Sequence, residues 1–220
     1  DSFSGTDAVH NTLYGKNAGT AITTGDYNIS VGSSSLAATT TGSHNVGIGT
    51  DAFKVNTTGS SNVAIGSNAL DANTTADSNT AVGFSAMSSN TTGTTNTALG
   101  RDALFTNTTA SNNTAVGYAA LVYNTTGAVN TAVGSRALDA NTTGAENSAF
   151  GDSALGGNTT GTQNSAFGRE ALLNNTTANS NTAVGYQALV LNTTGTENTA
   201  VGANALDANT TGIENAAVGN

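Results

Sequence analysis

The 220-residue chain contains no cysteine, no proline and no tryptophan. Without cysteine there is no disulfide framework, no thiolate nucleophile and no cysteine-held metal. Charge is scarce at 9% of residues, and five Lys and Arg stand against 14 Asp and Glu, a net of −9. So acidic a chain is a poor partner for nucleic acid or an anionic membrane surface. No apolar run approaches the ~20 residues that cross a bilayer, so no membrane insertion is expected. His10 and His44 are the only histidines and offer neither a triad nor a metal cluster. The carboxylates are dispersed, which reads as solvated rims rather than paired acid–base chemistry. No strand–GxGxxG–helix context frames a phosphate loop, and the Gly-Asp-rich calcium nonapeptide is missing. The expectation is a protein that is not an enzyme and takes no cofactor or metal.

What is present is one sentence of 17 residues, clearest from Asn181 to Glu197. Abundant Gly, Asn, Thr and Ser at low charge fit a disordered tract, but disorder gives no reason to keep a fixed interval. The glycine at position 5 recurs as Gly15, Gly32, Gly49, Gly66, Gly83, Gly100, Gly117, Gly134, Gly151, Gly168, Gly185, Gly202 and Gly219. Position 1 is Asn11, Asn28, Asn45, Asn62, Asn79, Asn96, Asn113, Asn130, Asn147, Asn164, Asn181, Asn198 and Asn215. Residues 1–10 read as a degenerate N-terminal partial repeat; residues 11–220 hold twelve full repeats and a truncated thirteenth. No composition shift points to a second domain. Ala-Leu-Asp-Ala at 69–72, 137–140 and 205–208 adds a four-repeat super-period, read as the trace of a block duplication.

Charge assigns the faces. From Asn11 onward every charged residue falls at positions 6, 7, 10, 16 or 17, as Lys16, Asp51, Asp71, Arg136, Asp152, Glu146, Glu197 and Glu214 do. Charged side chains are almost never buried unpaired, so the charge-free positions are the candidate interior or interfaces. Positions 2–4, as at Thr131–Val133 or Ser148–Phe150, predict a short strand with positions 2 and 4 on one face and 3 on the other. Neither face is ever charged, so the strand is expected to be covered on both sides. Gly at position 5 turns the chain with φ > 0. Positions 8 and 9 return Ala and Leu, and Asn-Thr-Thr-Gly makes the second turn, where Ala76, Ala110 and Ala178 replace the glycine. The fold class is therefore all-β, a parallel β-solenoid (β-roll) of 17-residue coils stacked ~4.8 Å apart, a rod on the order of 60 Å long. Stacking places the position-1 asparagines in one amide ladder, and a sheet ladder leaves no room for proline. With one Val-sized and one Leu-sized group per coil the core is thin, which argues for a homo-oligomer around an axis, a trimer or filament. The last copy, from Asn215 to Asn220, is as apolar as any interior copy, and Phe3, Val9 and Leu13 crowd the other end. Such uncapped coils are expected either where the chain is cut from a longer repeat protein or where copies stack head to tail into a filament, the favoured expectation.

Asn62-Val63-Ala64-Ile65-Gly66 and the Asn-Thr-Ala-Val-Gly copies resemble the head repeats of trimeric autotransporter adhesins and similar phage tail-fibre-like proteins. The likeness covers residues 11–220. It implies a trimer of left-handed parallel β-rolls displayed outside the cell or on a cell or virion surface. The present repeat is longer around positions 9–12, and no neck, coiled-coil stalk or membrane anchor is expected within these 220 residues.

Two further readings concern the second turn. Asn56, Asn73, Asn90, Asn107, Asn124, Asn141, Asn158, Asn175, Asn192 and Asn209 each begin an Asn-X-Thr sequon, and Asn28, Asn112 and Asn174 begin three more Asn-X-Ser/Thr sequons. They are glycosylation candidates, but a sugar on every coil would crowd at ~4.8 Å; stacked amide and hydroxyl ladders are the favoured reading. The paired threonines at positions 13 and 14 resemble the arrays of β-solenoid antifreeze proteins, an ice-binding reading ranked below the others. The leading expectation is a structural extracellular fibre segment. The alternative is an adhesin or receptor-binding head whose rim residues, among them Tyr118, Tyr123 and Tyr186, contact a host surface or carbohydrate.

Overall fold

A computed structural model of the chain describes residues 8–219. The expectations placed on Phe3, on residues 1–7 of the partial repeat and on Asn220 lie outside the described residues. The chain divides into two compact units, residues 1–111 and 112–220, each described by itself.

Thirteen strands of three residues each are the regular elements. The first unit holds β1 (Thr12–Tyr14), β2 (Ile29–Val31), β3 (Val46–Ile48), β4 (Val63–Ile65), β5 (Thr80–Val82) and β6 (Thr97–Leu99). The second holds β7 (Thr114–Val116), β8 (Thr131–Val133), β9 (Ser148–Phe150), β10 (Ser165–Phe167), β11 (Thr182–Val184), β12 (Thr199–Val201) and β13 (Ala216–Val218). Within each unit the strands are parallel and neighbours in sequence order, in a register displaced by one repeat: Thr131 pairs with Ser148, Ala132 with Ala149, Val133 with Phe150. No helix occurs among the described residues. The expected parallel β-solenoid of 17-residue coils is the observed fold.

The interior differs from the expected one. Position 3 points inward: Ala64, Ala81, Ala98, Ala115, Ala132 and Ala149 are fully buried. Position 4 points out, and Val184, Val201, Phe150 and Phe167 keep 37–42% of their surface. The core of a coil is thus one Leu with two alanines, as Leu138 with Ala132 and Ala137, and the Val-sized group lies outside. The reason is volume. A Cβ on Gly47, at position 3, would run into the Leu36 side chain and approach Ser35 Oγ to 2.6 Å. The first coil shows the same constraint inverted. Leu13 occupies position 3, position 9 is Gly19, and a Cβ on Gly19 would come 2.7 Å from Leu13 Cδ2. Between them, positions 3 and 9 accept one large side chain per coil. The outer strand face, expected to be covered, is half-exposed within the chain.

The backbone achieves this tight coil with left-handed residues. Positions 7, 9 and 17 have positive φ, as Arg136 (54°), Leu138 (53°) and Glu146 (58°) do. A non-glycine residue there costs roughly 1–2 kcal/mol, and burying a leucine returns about 1.5–3 kcal/mol. The left-handed residues also turn their N–H groups along the stack: Leu138 donates to the Ala154 carbonyl one coil on at 3.0 Å, and Arg136 to the Tyr118 carbonyl one coil back at 2.9 Å. Nothing in the residue types at positions 7 and 9 announces this. Leucine is a poor left-handed residue, and only the coil-to-coil bonds explain its conformation.

Candidate functional surfaces

Four columns carry the polar chemistry. The position-5 glycines have φ between 126° and 141°, a region that side chains rarely enter. A Cβ on Gly134 would land on the Gly151 carbonyl oxygen and 2.6 Å from its carbon, so these glycines serve a close approach of successive coils as well as a turn.

The position-1 asparagines form the first ladder. Asn147 donates its backbone N–H to Asn130 Oδ1 at 3.0 Å, and its Nδ2 to the Gly161 carbonyl at 2.9 Å and Asn130 Oδ1 at 3.1 Å. Each amide therefore closes its own coil and joins it to the one before. Members from Asn28 to Asn198 are buried; Asn11 is half-buried and Asn215 exposed.

The position-12 asparagines form a second ladder. Asn141 Nδ2 donates to Asn124 Oδ1 at 2.8 Å and to the Gly144 carbonyl at 2.9 Å, while its Oδ1 accepts from Asn158 Nδ2 at 2.8 Å. Asn56, Asn73, Asn90, Asn107, Asn124, Asn141, Asn158, Asn175 and Asn192 have no exposed surface; Asn209 is half-buried. Nδ2 is the atom to which a glycan would be joined, so the folded coil withholds these acceptors, and modification would have to precede folding. Of the three remaining sequons, Asn28 is buried, whereas Asn112 and Asn174 are exposed. Among the described residues no buried side-chain nitrogen or oxygen lacks a partner. An amide can serve as donor and acceptor at once, and that is why asparagine recurs in both columns.

Threonines at position 13 make the fourth column. Thr142 Oγ1 donates to the Thr159 carbonyl at 3.0 Å, and the same bond recurs from Thr57 to Thr74 at 3.1 Å. The position-14 threonines, such as Thr126 and Thr143, are exposed and lie in a bend rather than a strand. Among the described residues the Thr126 and Thr143 hydroxyls have no protein partner.

Outside these columns the surface varies. His10, Tyr27 and His44 stack at position 17 with ring centroids 4.8 and 5.1 Å apart. Phe150 and Phe167 stack at 5.0 Å on the outer strand face. Tyr118, Tyr123 and Tyr186 are exposed. Gln187 donates to Glu170 at 2.6 Å, and Arg169 pairs with Glu170 at 2.8 Å. The Gln187 hydrogen bond first and the Arg169 hydrogen bond second hold the Glu170 carboxyl below its usual range. Asp71 and Asp139, both at position 10, are pushed upward by partial burial. No group of three or more His, Asp or Glu able to hold a metal occurs among the described residues.

The geometry defines a class, a parallel β-solenoid whose buried polar groups are spent on joining coils. Comparison with protein-family profiles, with curated proteins and with solved structures returns no match.

Proposed function

We propose that the chain is a structural segment of an extracellular fibre or filament, a homo-oligomer displayed on a cell or virion surface. The observation that carries this reading is the destination of the buried polar groups. Both amide ladders and the position-13 hydroxyls bond within a coil or from one coil to the next, and none is aimed at a ligand. A fold whose repeats contact only their neighbours extends without limit by adding units, which suits a spacer. The resemblance to adhesin-head and tail-fibre repeats supports display outside the cell. Electron microscopy of the purified chain tests it: elongated particles of constant width are expected, and compact globular particles would overturn the reading.

An adhesin or receptor-binding head is the second reading, favoured by the exposed rings of Tyr118 and Tyr123 in one coil. It predicts binding to a carbohydrate array that is lost in Tyr118→Ala and Tyr123→Ala. Ice binding ranks third and rests on the exposed position-14 threonines alone.

A further inference from the structure

Ring side chains in this fold turn their faces along the stack. His10, Tyr27 and His44 lie within 5° of parallel from one coil to the next, with centroids 4.8 and 5.1 Å apart. Phe150 and Phe167 do the same at 5.0 Å and 6°. A ring is therefore covered only where the same position of the adjoining coils carries a bulky group. Val133 precedes Phe150 and Val184 follows Phe167, so neither end of that pair is bare.

Position 6 differs. In the second unit Arg169, from the coil before, lays its guanidinium over Tyr186 at 5.9 Å from the ring centroid. The opposite face of Tyr186 looks toward the coil after, where position 6 is Ala203. In the first unit Arg101, from the coil after, lies over Phe84 at 5.8 Å, and the opposite face looks toward Ser67 in the coil before. Neither Ala nor Ser is long enough to cover a ring, and Tyr186 and Phe84 keep 45% and 51% of their surface. Beside each small residue stands an asparagine at position 7, Asn204 and Asn68. Neither side-chain amide has a hydrogen-bond partner among the described residues. The two steps are not copies under the four-repeat super-period, which relates Phe84 to Asp152. Each unit by itself holds a ring with one face under an arginine, the other face bare, a small floor and an unpaired amide at its edge.

We propose that each step binds a neutral sugar residue, its ring stacked on the bare face of Tyr186 or Phe84 and its hydroxyls paired with the Asn204 or Asn68 amide. This rests on the second reading, an adhesin or receptor-binding head, and names its ligand class and its site. One coil spacing, ~4.8 Å, is close to the distance at which rings already stack in this chain, so a ring-shaped guest fills the place that Ala203 or Ser67 leaves vacant. A pyranose offers an apolar C–H face to the ring and hydroxyls around its rim. An amide donates and accepts, so one asparagine can pair with two hydroxyls. The cations at the steps are already matched, Arg169 with Glu170 at 2.8 Å and Arg101 with Asp102 at 3.0 Å. No unmatched positive charge waits for an anionic sugar, and the net charge of −9 disfavours a nucleic-acid base with its phosphates. An aromatic side chain of a protein partner would stack as well, but it would strip water from the asparagine amide without replacing the hydrogen bonds. The arginines hold the rings in place before the guest arrives, which reduces the ordering cost of binding.

Binding of the full chain to immobilised neutral oligosaccharides of galactose, glucose, mannose and N-acetylglucosamine tests the proposal, with circular dichroism as the folding control. The wild-type chain is expected to bind at least one of them. Tyr186→Ala with Phe84→Ala should weaken that binding about tenfold, the loss of an aromatic stack. Tyr186→Phe should bind as the wild type does, because the ring face and not the hydroxyl is used. Ala203→Leu with Ser67→Leu keeps both rings and covers their bare faces, so binding should be lost with the fold intact; position 6 accepts bulky residues elsewhere, as Arg101 and Tyr118. No binding to the panel, binding that survives the paired alanines or the paired leucines, or a loss in Tyr186→Phe equal to that in the alanine variant would each overturn the proposal. The adhesin reading fails separately. A chain that adheres to cells but binds no neutral sugar, or whose sugar binding is lost only in Tyr118→Ala and Tyr123→Ala, would remove these steps and leave that reading standing.

Discussion

Replacing Asn141 by alanine tests whether the second turn is a ladder or a glycan site. Three hydrogen bonds disappear: to Asn124 Oδ1, to the Gly144 carbonyl and from Asn158 Nδ2. A buried neutral hydrogen bond contributes about 1 kcal/mol net, and a group left without a partner costs about 1–3 kcal/mol. Asn158 keeps its bond to the Gly161 carbonyl at 3.0 Å and the Gly144 carbonyl keeps the Asn130 amide at 2.8 Å, so the cost is that of the three bonds themselves. The expected loss is therefore about 3 kcal/mol. For a unit of about a hundred residues each kcal/mol lowers Tm by roughly 4–8 °C, giving a fall of at least ~12 °C. Thr143→Ala is the matched control. It removes the same Asn-X-Thr sequon, but Thr143 is exposed and its hydroxyl meets no protein group. Its backbone bond to the Thr159 carbonyl at 3.3 Å is retained, so a change within about 0.5 kcal/mol is expected. Both variants are melted by far-ultraviolet circular dichroism in unglycosylated, bacterially produced protein. Equal melting temperatures for the two would refute the ladder argument. If Thr143→Ala proved as damaging as Asn141→Ala, the exposed threonine would have a structural role that the geometry does not contain.

Gly134→Ala places a Cβ on the Gly151 backbone at a φ of 141°, so the two costs add and a loss above about 3 kcal/mol is expected in the same melting assay. Leu138→Ala empties the one large core site of its coil and should cost about 2–5 kcal/mol by denaturant titration. Asp139→Asn should raise Tm at neutral pH. Burial raises the folded-state pKa of this carboxyl above its unfolded value, so the folded state binds the proton more tightly. The penalty is complete above the folded pKa and vanishes below the unfolded one; the advantage of Asn should therefore fade as pH falls through the carboxylate range. An advantage that grew in acid would reverse the assigned cause.

The period, the strand at positions 2–4 and the turn at position 5 were legible because each leaves a compositional mark. A strand alternates, a glycine tolerates φ near 135°, and charge avoids enclosed positions. What charge could not do was distinguish buried from merely uncharged. Val133 and Ala132 are equally charge-free, yet Ala132 fills the interior and Val133 faces out. Only the volume left by Leu138 and its counterparts decides between them, and volume is a property of the folded coil. The second ladder was half-read. Asn-Thr-Thr looks like a turn or a sequon, and the burial of Asn141 separates the two. The left-handed leucines left no mark, because their conformation follows from bonds to neighbouring coils. The stacking of His10 on Tyr27 on His44 could have been found, since three rings fall at position 17 in consecutive copies.

Coil-to-coil bonding runs in both directions along the stack. Thr131 and Leu138 donate to the coil that follows, whereas Gly134, Arg136 and Glu146 donate to the coil that precedes. In an α-helix every peptide dipole points the same way, and charge accumulates at the two ends. Here donors oppose one another, so a growing stack builds a weaker axial field than a helix with all its dipoles aligned. Inserting or deleting one 17-residue copy changes the number of identical junctions and leaves the electrostatics of those remaining as they were. Copy number in such a chain can therefore drift by whole repeats with no compensating substitution elsewhere.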